Sequence, residues 1–174
     1  MLVDMRVLAV CGSLQSKSSN LSLLETARRV APAGMEVTLD QDLLRRLPHF
    51  DPDLERDGAA PEPVRAWRAQ IAQSNALLIA CPEYGFSLPG ALKNGIDWVI
   101  GSGELERKLT AVTASTVHPQ RGRLGLQALL QTLSAVSAEV VGGEPTVRGD
   151  GEEAAVRALL AALEARMQGA AGRF

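Results

Sequence analysis

The sequence predicts an α/β fold: one domain over residues 1–174, built on a five-stranded parallel sheet with helices on both faces. Three observations lead there. Short continuous apolar runs, Arg6–Cys11 and Ala76–Cys81 above all, have the composition of strands buried on both sides. Stretches with apolar residues at helical spacing separate them. Strands and helices then alternate along the chain, which in one sheet demands parallel strands joined by right-handed crossovers.

The first strand, Arg6–Cys11, ends at Gly12. After a polar loop, Asn20–Ala31 carries Leu21, Leu24, Ala27 and Val30 on one helical face and stops at Pro32. Met35–Leu39 alternates as a second strand. Asp40–Glu62, with Gly58 and Pro48, Pro52 and Pro61, is expected to be a long polar excursion with one helical turn at Leu43–Leu47. Pro63 opens a helix over Val64–Ser74, and Ala76–Cys81 is the third strand. A loop, Pro82–Pro89, leads into a helix at Gly90–Ile100. Leu109–Ser115 is the fourth strand, Gly122–Gly125 a glycine-rich loop, and Leu126–Val136 a helix. Ala138–Val141 is a short fifth strand, and Gly149–Gly151 precedes a last helix at Glu152–Gln168. Five strands at this length suit the flavodoxin-like, doubly wound order 2-1-3-4-5, whose ligands bind beyond the carboxyl ends of the strands.

Composition narrows the function. Lys+Arg 18 against Asp+Glu 20 gives a net charge of −2, which excludes a generally basic surface and argues against a nucleic-acid partner. Aromatic residues are 3%, too few for a base-stacking surface. No apolar run approaches the ~18 residues of a membrane span. The opening residues lead straight into a strand and carry Asp4 rather than the basic head of a leader. The two cysteines, Cys11 and Cys81, end buried runs and suggest no disulfide framework, so a cytoplasmic location is expected.

Two loops hold the unusual chemistry. Ser13, Gln15, Lys17, Ser18, Ser19 and Asn20 follow the first strand and lead into a helix, whose N-terminus offers free N–H groups and partial positive charge. Such a loop suits a phosphate dianion. It equally suits a plain connection with Ser19 or Asn20 as the helix cap. Neither G-x-x-x-x-G-K-[ST] nor G-x-G-x-x-G is present. A cysteine-dependent phosphatase with Cys11 as nucleophile would need an arginine where this chain has Lys17. The second loop, Pro82, Glu83, Tyr84, Gly85, Phe86 through Gly90, presents irregular backbone to the same edge, where it suits the flat polar rim of a heterocycle. Its other reading is a tight connection plugged by Tyr84 or Phe86.

Together, Val10-Cys11-Gly12-Ser13-Leu14 with Ser18 and Asn20, and Pro82-Glu83-Tyr84 with Ser87, Pro89-Gly90, Leu92-Lys93-Asn94 and Ile96-Asp97-Trp98, resemble the NADPH-dependent FMN reductase family. That family includes flavin, quinone, azo-dye and chromate reductases, and the resemblance spans essentially the whole chain. It implies non-covalent FMN, NADPH or NADH as donor, a small-molecule electron acceptor, and a homodimer or homotetramer. It implies that Ser13, Gln15, Ser18 and Asn20 surround the FMN phosphate; Lys17 and Ser19 of the same loop are read as cofactor-binding with them. Pro82, Glu83, Tyr84 and Gly85 would line the ring, and Ser115 with the loop to Gly122 would close the other side. No metal and no catalytic side chain are expected, because the cofactor carries the hard step.

The chain departs from the family's pattern at three places. Gln15 replaces the usual arginine, Gly85 the usual asparagine, and Thr116–Gly122 lacks the usual Gly-Gly pair. Lys17 can offset part of the first loss as a point charge. Arg121 and Arg123 form a basic spot read as rim charge, although a 2′-phosphate would suit it. His118 follows the fourth strand within reach of the flavin face but reads as structural or solvated, and His49 as solvated. Trp67 and Trp98 read as packing, and the resemblance also suits Trp98 to a subunit contact. A non-enzymatic FMN electron carrier is the rival reading.

Overall fold

The computed structural model describes residues 5–55 and 60–171; Asp4 and Gly58 lie outside them. Its strands are β1 (Met5–Cys11), β2 (Met35–Leu39), β3 (Ala76–Ala80), β4 (Leu109–Thr116) and β5 (Glu139–Val147). Its helices are α1 (Ser19–Val30), α2 (Glu62–Gln73), α3 (Gly90–Ile100), α4 (Arg123–Ala135) and α5 (Glu152–Ala171). The strands run in the order β2-β1-β3-β4-β5, and every pair is parallel. This is the doubly wound order that the alternation predicts.

Alternate strand residues feed opposite faces, as the period of two requires. Val7, Ala9, Cys11, Leu78 and Ala80 pack with Leu24 and Ala27 of α1 and Val156 and Leu160 of α5. Leu8, Val10, Leu77, Ile79 and Val112 pack with Ile71 of α2, Ile96 of α3 and Leu129 of α4. Continuous apolar strands are therefore the consequence of two covered faces. Each fully buried aliphatic side chain contributes roughly 1.5–3 kcal/mol.

The excursion between β2 and α2 is more ordered than its polarity suggests. It holds two short 3-10 turns, Leu44–Arg46 and Pro52–Leu54. Leu43, Leu44 and Leu47 join the core. Pro48 carbonyl accepts from Trp98 Nε1 at 2.8 Å and Asn94 Nδ2 at 2.9 Å, and Phe50 N–H donates to Asn94 Oδ1 at 2.8 Å. Asn94 and Trp98 thus clamp the excursion onto α3. Trp67 and Trp98 are both buried.

Of the boundaries that differ from expectation, two bear on the site. α4 starts at Arg123, so Gly125 is helical rather than part of a glycine-rich loop. β5 runs to Val147 instead of ending at Val141. Gly142, Gly143 and Pro145 read as breakers, yet β5 is an edge strand, where glycine bulges and proline are tolerated. The register shifts between Val112 and Ala114, and Gly142 and Gly143 take φ of 78° and 103°. The strand then continues, with Thr113 Oγ1 and Thr146 Oγ1 bonded at 2.8 Å. The longer β5 carries the chain to the carboxyl edge of the sheet before it turns into α5.

A Cβ at Gly142 would lie 2.7 Å from the Val112 carbonyl oxygen, in a backbone conformation that already opposes side chains. Gly142→Ala is expected to lower the unfolding free energy by about 2 kcal/mol or more, combining that clash with the ~1–2 kcal/mol left-handed penalty. Urea denaturation checks it, and a variant as stable as the parent would show that the bulge is not built this way.

Candidate functional site

The loops after β1, β3 and β4 converge at the carboxyl edge because their strands are neighbours in the sheet. Gly12 makes the first turn possible. Its N–H donates to Ala80 carbonyl at 2.8 Å, and a Cβ there would meet Pro82 Cδ at 3.0 Å. The first loop therefore lies directly against the second.

Side-chain bonds lock the three loops together. Ser13 Oγ is 3.1 Å from Tyr84 Oη and accepts from Gln15 N–H at 3.2 Å. Ser18, rather than Ser19 or Asn20, caps α1, accepting from Asn20 N–H at 3.2 Å. The Asn20 side chain is thereby free to bond elsewhere, and its buried Oδ1 accepts the Ser115 N–H at 2.9 Å. Glu83 Oε2 accepts from Leu124 N–H at 2.9 Å and Gly125 N–H at 3.1 Å, capping α4 where its own cap residue, Gly122, has no side chain. A Cβ on Gly125 would stand 2.9 Å from Glu83 Cα, so glycine lets α4 approach this loop.

These contacts frame a cleft of about 650 Å³. Gln15, Ser19, Asn20, Pro82, Glu83, Tyr84 and Ser115 line it, and Phe86, Gln120, Arg121 and Arg148 share the lining. A second cleft, about 640 Å³, opens on the α1 side and is lined by Lys17, Ser18 and Gln41 among others. Gln15, Ser19 and Arg148 border both. Of the residues singled out from the sequence, Ser13 lies beneath the edge as a support. Lys17 lines only the outer cleft. Gly85 lines neither and instead shapes the turn.

That turn explains one departure. Tyr84 and Ser87 exchange backbone bonds at 3.0 and 3.1 Å across Gly85 and Phe86, which take φ of 57° and 64°. Two positive φ values make a type I′ turn. Glycine adopts this conformation freely, and asparagine more readily than most side chains. Gly85 thus answers the same backbone demand as the asparagine usual in the family that the motifs resemble. Phe86 has no such ease, and it is 77% exposed. Neither it nor Tyr84, 52% exposed, plugs the connection.

Among the described residues, one buried side-chain polar atom lacks a partner, and its residue lines this cleft. Ser115 is 9% exposed, and its hydroxyl oxygen has no hydrogen-bond partner among the described residues. A buried hydroxyl is seldom left so, because desolvation without a partner costs roughly 1–3 kcal/mol. A ligand polar atom would complete it.

Cation placement differs from expectation. Arg123 is tied to Glu144 at 3.1 Å and to the Pro119 carbonyl, so it is rim charge, whereas Arg121 lines the cleft. His118 and His49 are exposed. His118 Nδ1 accepts from Gln120 N–H at 3.2 Å. Arg148 escapes a reading of the sequence because the strand pattern there stops at Val141. The one local signal is a cation immediately after Pro145-Thr146-Val147.

Burial pushes the Cys11 thiol up, against smaller opposite effects of Ser13 and Ser18. Burial and then the Glu83 charge push Cys81 up to about 12. A phosphatase nucleophile needs the reverse shift. Among the described residues no three His, Cys, Asp or Glu side chains are grouped to hold a metal, and no helix is long and apolar enough to cross a membrane.

Two tests follow from this geometry. Asn20→Ala strands the buried Ser115 N–H and is expected to lower stability by about 1–3 kcal/mol in urea unfolding; an unchanged midpoint and slope would deny the tie any weight. Both thiols are expected to stay protonated at pH 8 and to react with Ellman's reagent only after unfolding in guanidinium. Rapid labelling of the folded protein would contradict the burial described.

The comparisons agree with this architecture. The model of the NADPH-dependent FMN reductase family matches residues 5–152. An NAD(P)H-dependent FMN reductase of Pseudomonas aeruginosa is 36% identical over 122 residues, 70% of this chain and 63% of that protein. A quinone reductase of Escherichia coli is 37% identical over 95 residues, 55% of this chain and 50% of that protein. The matched stretch thus spans between half and two thirds of these relatives. Among solved structures, FerB, a flavoenzyme NAD(P)H:(acceptor) oxidoreductase from Paracoccus denitrificans, superposes with a TM-score of 0.77 at 26% identity, over 92% of this chain and 98% of that one. An azoreductase of Bacillus anthracis, 13% identical with a TM-score of 0.60 over 98% and 100% of the chains, shares the fold. Since the family match takes in all five strands and both loops of the cleft, the chain belongs to the NADPH-dependent FMN reductase family.

Proposed function

We propose that the protein is an FMN-dependent NAD(P)H oxidoreductase that delivers electrons to a small quinone- or flavin-type acceptor. The observation that carries this reading is the cleft between the β1 and β3 loops, with the buried Ser115 hydroxyl unpartnered inside it among the described residues. The surrounding residues fit FMN. The N-terminus of α1, with no acidic residue in its first turn, suits a phosphate. The I′ turn and the backbone at Pro82 and Glu83 suit a flat polar ring edge.

In this reading Gln15, Ser18, Ser19 and Asn20 hold the phosphate end, with Lys17 as an exposed countercharge. Pro82, Glu83, Tyr84 and Ser115 hold the ring end, and Gly85 keeps the turn in shape. When bound, FMN supplies hydride acceptance from a nicotinamide and release of electrons to a second substrate. The chain's own contribution is positioning. Ser13 orients Tyr84, Glu83 fixes the loop against α4, and Ser115 offers a hydroxyl where a ring heteroatom would otherwise be left dry. No side chain is required to move a proton.

A homodimer or homotetramer in the cytoplasm completes the proposal. It is supported by exposed Phe50, Leu54 and Ile100 on the α3 side and by two free, buried cysteines. Phe50 meets Trp98 edge-on at 5.1 Å while staying 38% exposed.

The protein reconstituted with FMN is expected to show a bound-flavin spectrum and to oxidise NADPH when a benzoquinone is added, with ping-pong kinetics. Absence of both flavin binding and NADPH oxidation would overturn the reading. Tight FMN binding with no NADPH oxidation would favour the electron carrier instead.

A further inference from the structure

The two clefts meet at Gln15, Ser19 and Arg148. Residue 15 is a neutral amide, and Ser19 is the first residue of α1. Among the described residues, Arg148 is the only cation bordering both clefts. Its backbone is fixed: its N–H donates to the Thr116 carbonyl at 2.8 Å, extending the β4–β5 pairing by one bond. Its guanidinium, by contrast, makes no hydrogen bond or ion pair among the described residues. Arg123 is engaged with Glu144, and Arg29 and Arg157 with Glu153. Arg121, whose guanidinium is also without a bond among the described residues, lines only the inner cleft and does not border the α1 side. Glu25 and Glu152 border the outer cleft with Arg148 but do not bond it. Next to the anchored Thr116 stands Ser115, nine-tenths buried, with its hydroxyl on the cleft unpartnered among the described residues.

We propose that Arg148 supplies the guanidinium that grips the FMN phosphate in this chain, filling from β5 the charge that Gln15 leaves out of the β1 loop. The proposal rests on the FMN reading above. A fork of donors on a strand-anchored base suits a phosphate bidentately, which Lys17, an exposed ammonium on a loop, does not. No equivalent cation is placed on the same edge by the first turn of α1, Ser19-Asn20-Leu21-Ser22.

Fluorescence titration with FMN and with riboflavin, which lacks the phosphate, separates the possibilities. Arg148→Ala is expected to bind FMN about 10- to 100-fold more weakly, with riboflavin affinity unchanged. Arg148→Lys should lose less, and Gln15→Arg placed in the Arg148→Ala background should recover most of the loss. Thermal melting should stay at the parent's temperature, because the Thr116 bond uses only backbone. Equal FMN affinity in Arg148→Ala overturns the proposal alone. So does an equal loss for both ligands, which would mark a structural role. Failure of the parent protein to bind either ligand sinks the cofactor reading and this proposal with it.

Discussion

The site depends on one buried hydrogen bond, Asn20 Oδ1 to Ser115 N–H at 2.9 Å. It joins the first turn of α1 to the end of β4, although β3 separates β1 from β4 in the sheet. The bond exists because Ser18 takes the capping duty and leaves the Asn20 amide free to reach across. Both partners are shielded from water, so the bond acts in a low local dielectric where an unmet group would be expensive. It sets the distance between the loop suited to phosphate and the far wall of the cleft.

Glu83 plays the same part on the other side. Its carboxylate meets the positive end of α4, an arrangement worth about 0.3–1 kcal/mol from the dipole in addition to the bonds themselves. Gly125 permits the approach, and Gly122 turns the chain into the helix at φ 82°. With both ties made, the loop carrying Tyr84 has little freedom except at its tip. That tip holds Phe86 in a left-handed conformation, at a cost of order 1–3 kcal/mol. The surrounding bonds, Tyr84 to Ser87 and Glu83 to α4, overdetermine the turn and keep it. An apolar side chain held out over the cleft mouth is the result.

Much of this is legible in the sequence, for reasons that are physical. Strands covered on both faces must be apolar throughout, so β1 and β3 announce themselves, and the hydroxyls and prolines after them mark where the sheet stops. What local pattern does not report is tertiary tolerance. Gly142, Gly143 and Pro145 would break a central strand but not an edge strand, so β5 reads as too short and Arg148 goes unnoticed. Gly125 reads as loop because its reason for being glycine, contact with Glu83 Cα, belongs to a residue far away along the chain. The polar excursion conceals its order in the same way, since Pro48 and Phe50 are held by Asn94 and Trp98 of α3. The carboxylate of Glu83 reads as part of the ring loop, but its partners on α4 come into view only once the fold places them.

The charge of the whole chain says little about the cleft. A net charge of −2 spreads over the surface and is screened within about 10 Å at ordinary ionic strength. A phosphate dianion responds instead to the few groups within hydrogen-bond reach. Neutral donors such as Ser19 contribute about 0.5–1.5 kcal/mol each, and a charged donor about 1.5–3. Lys17 must give up the freedom of a long exposed side chain to contribute, which offsets up to about 2 kcal/mol of its attraction. An arginine carries similar freedom, but its planar fork is pre-organised and loses less for each bond it forms. A phosphate site on this fold can therefore move its cation from the first loop to the end of the last strand, provided that strand is long enough to reach the edge.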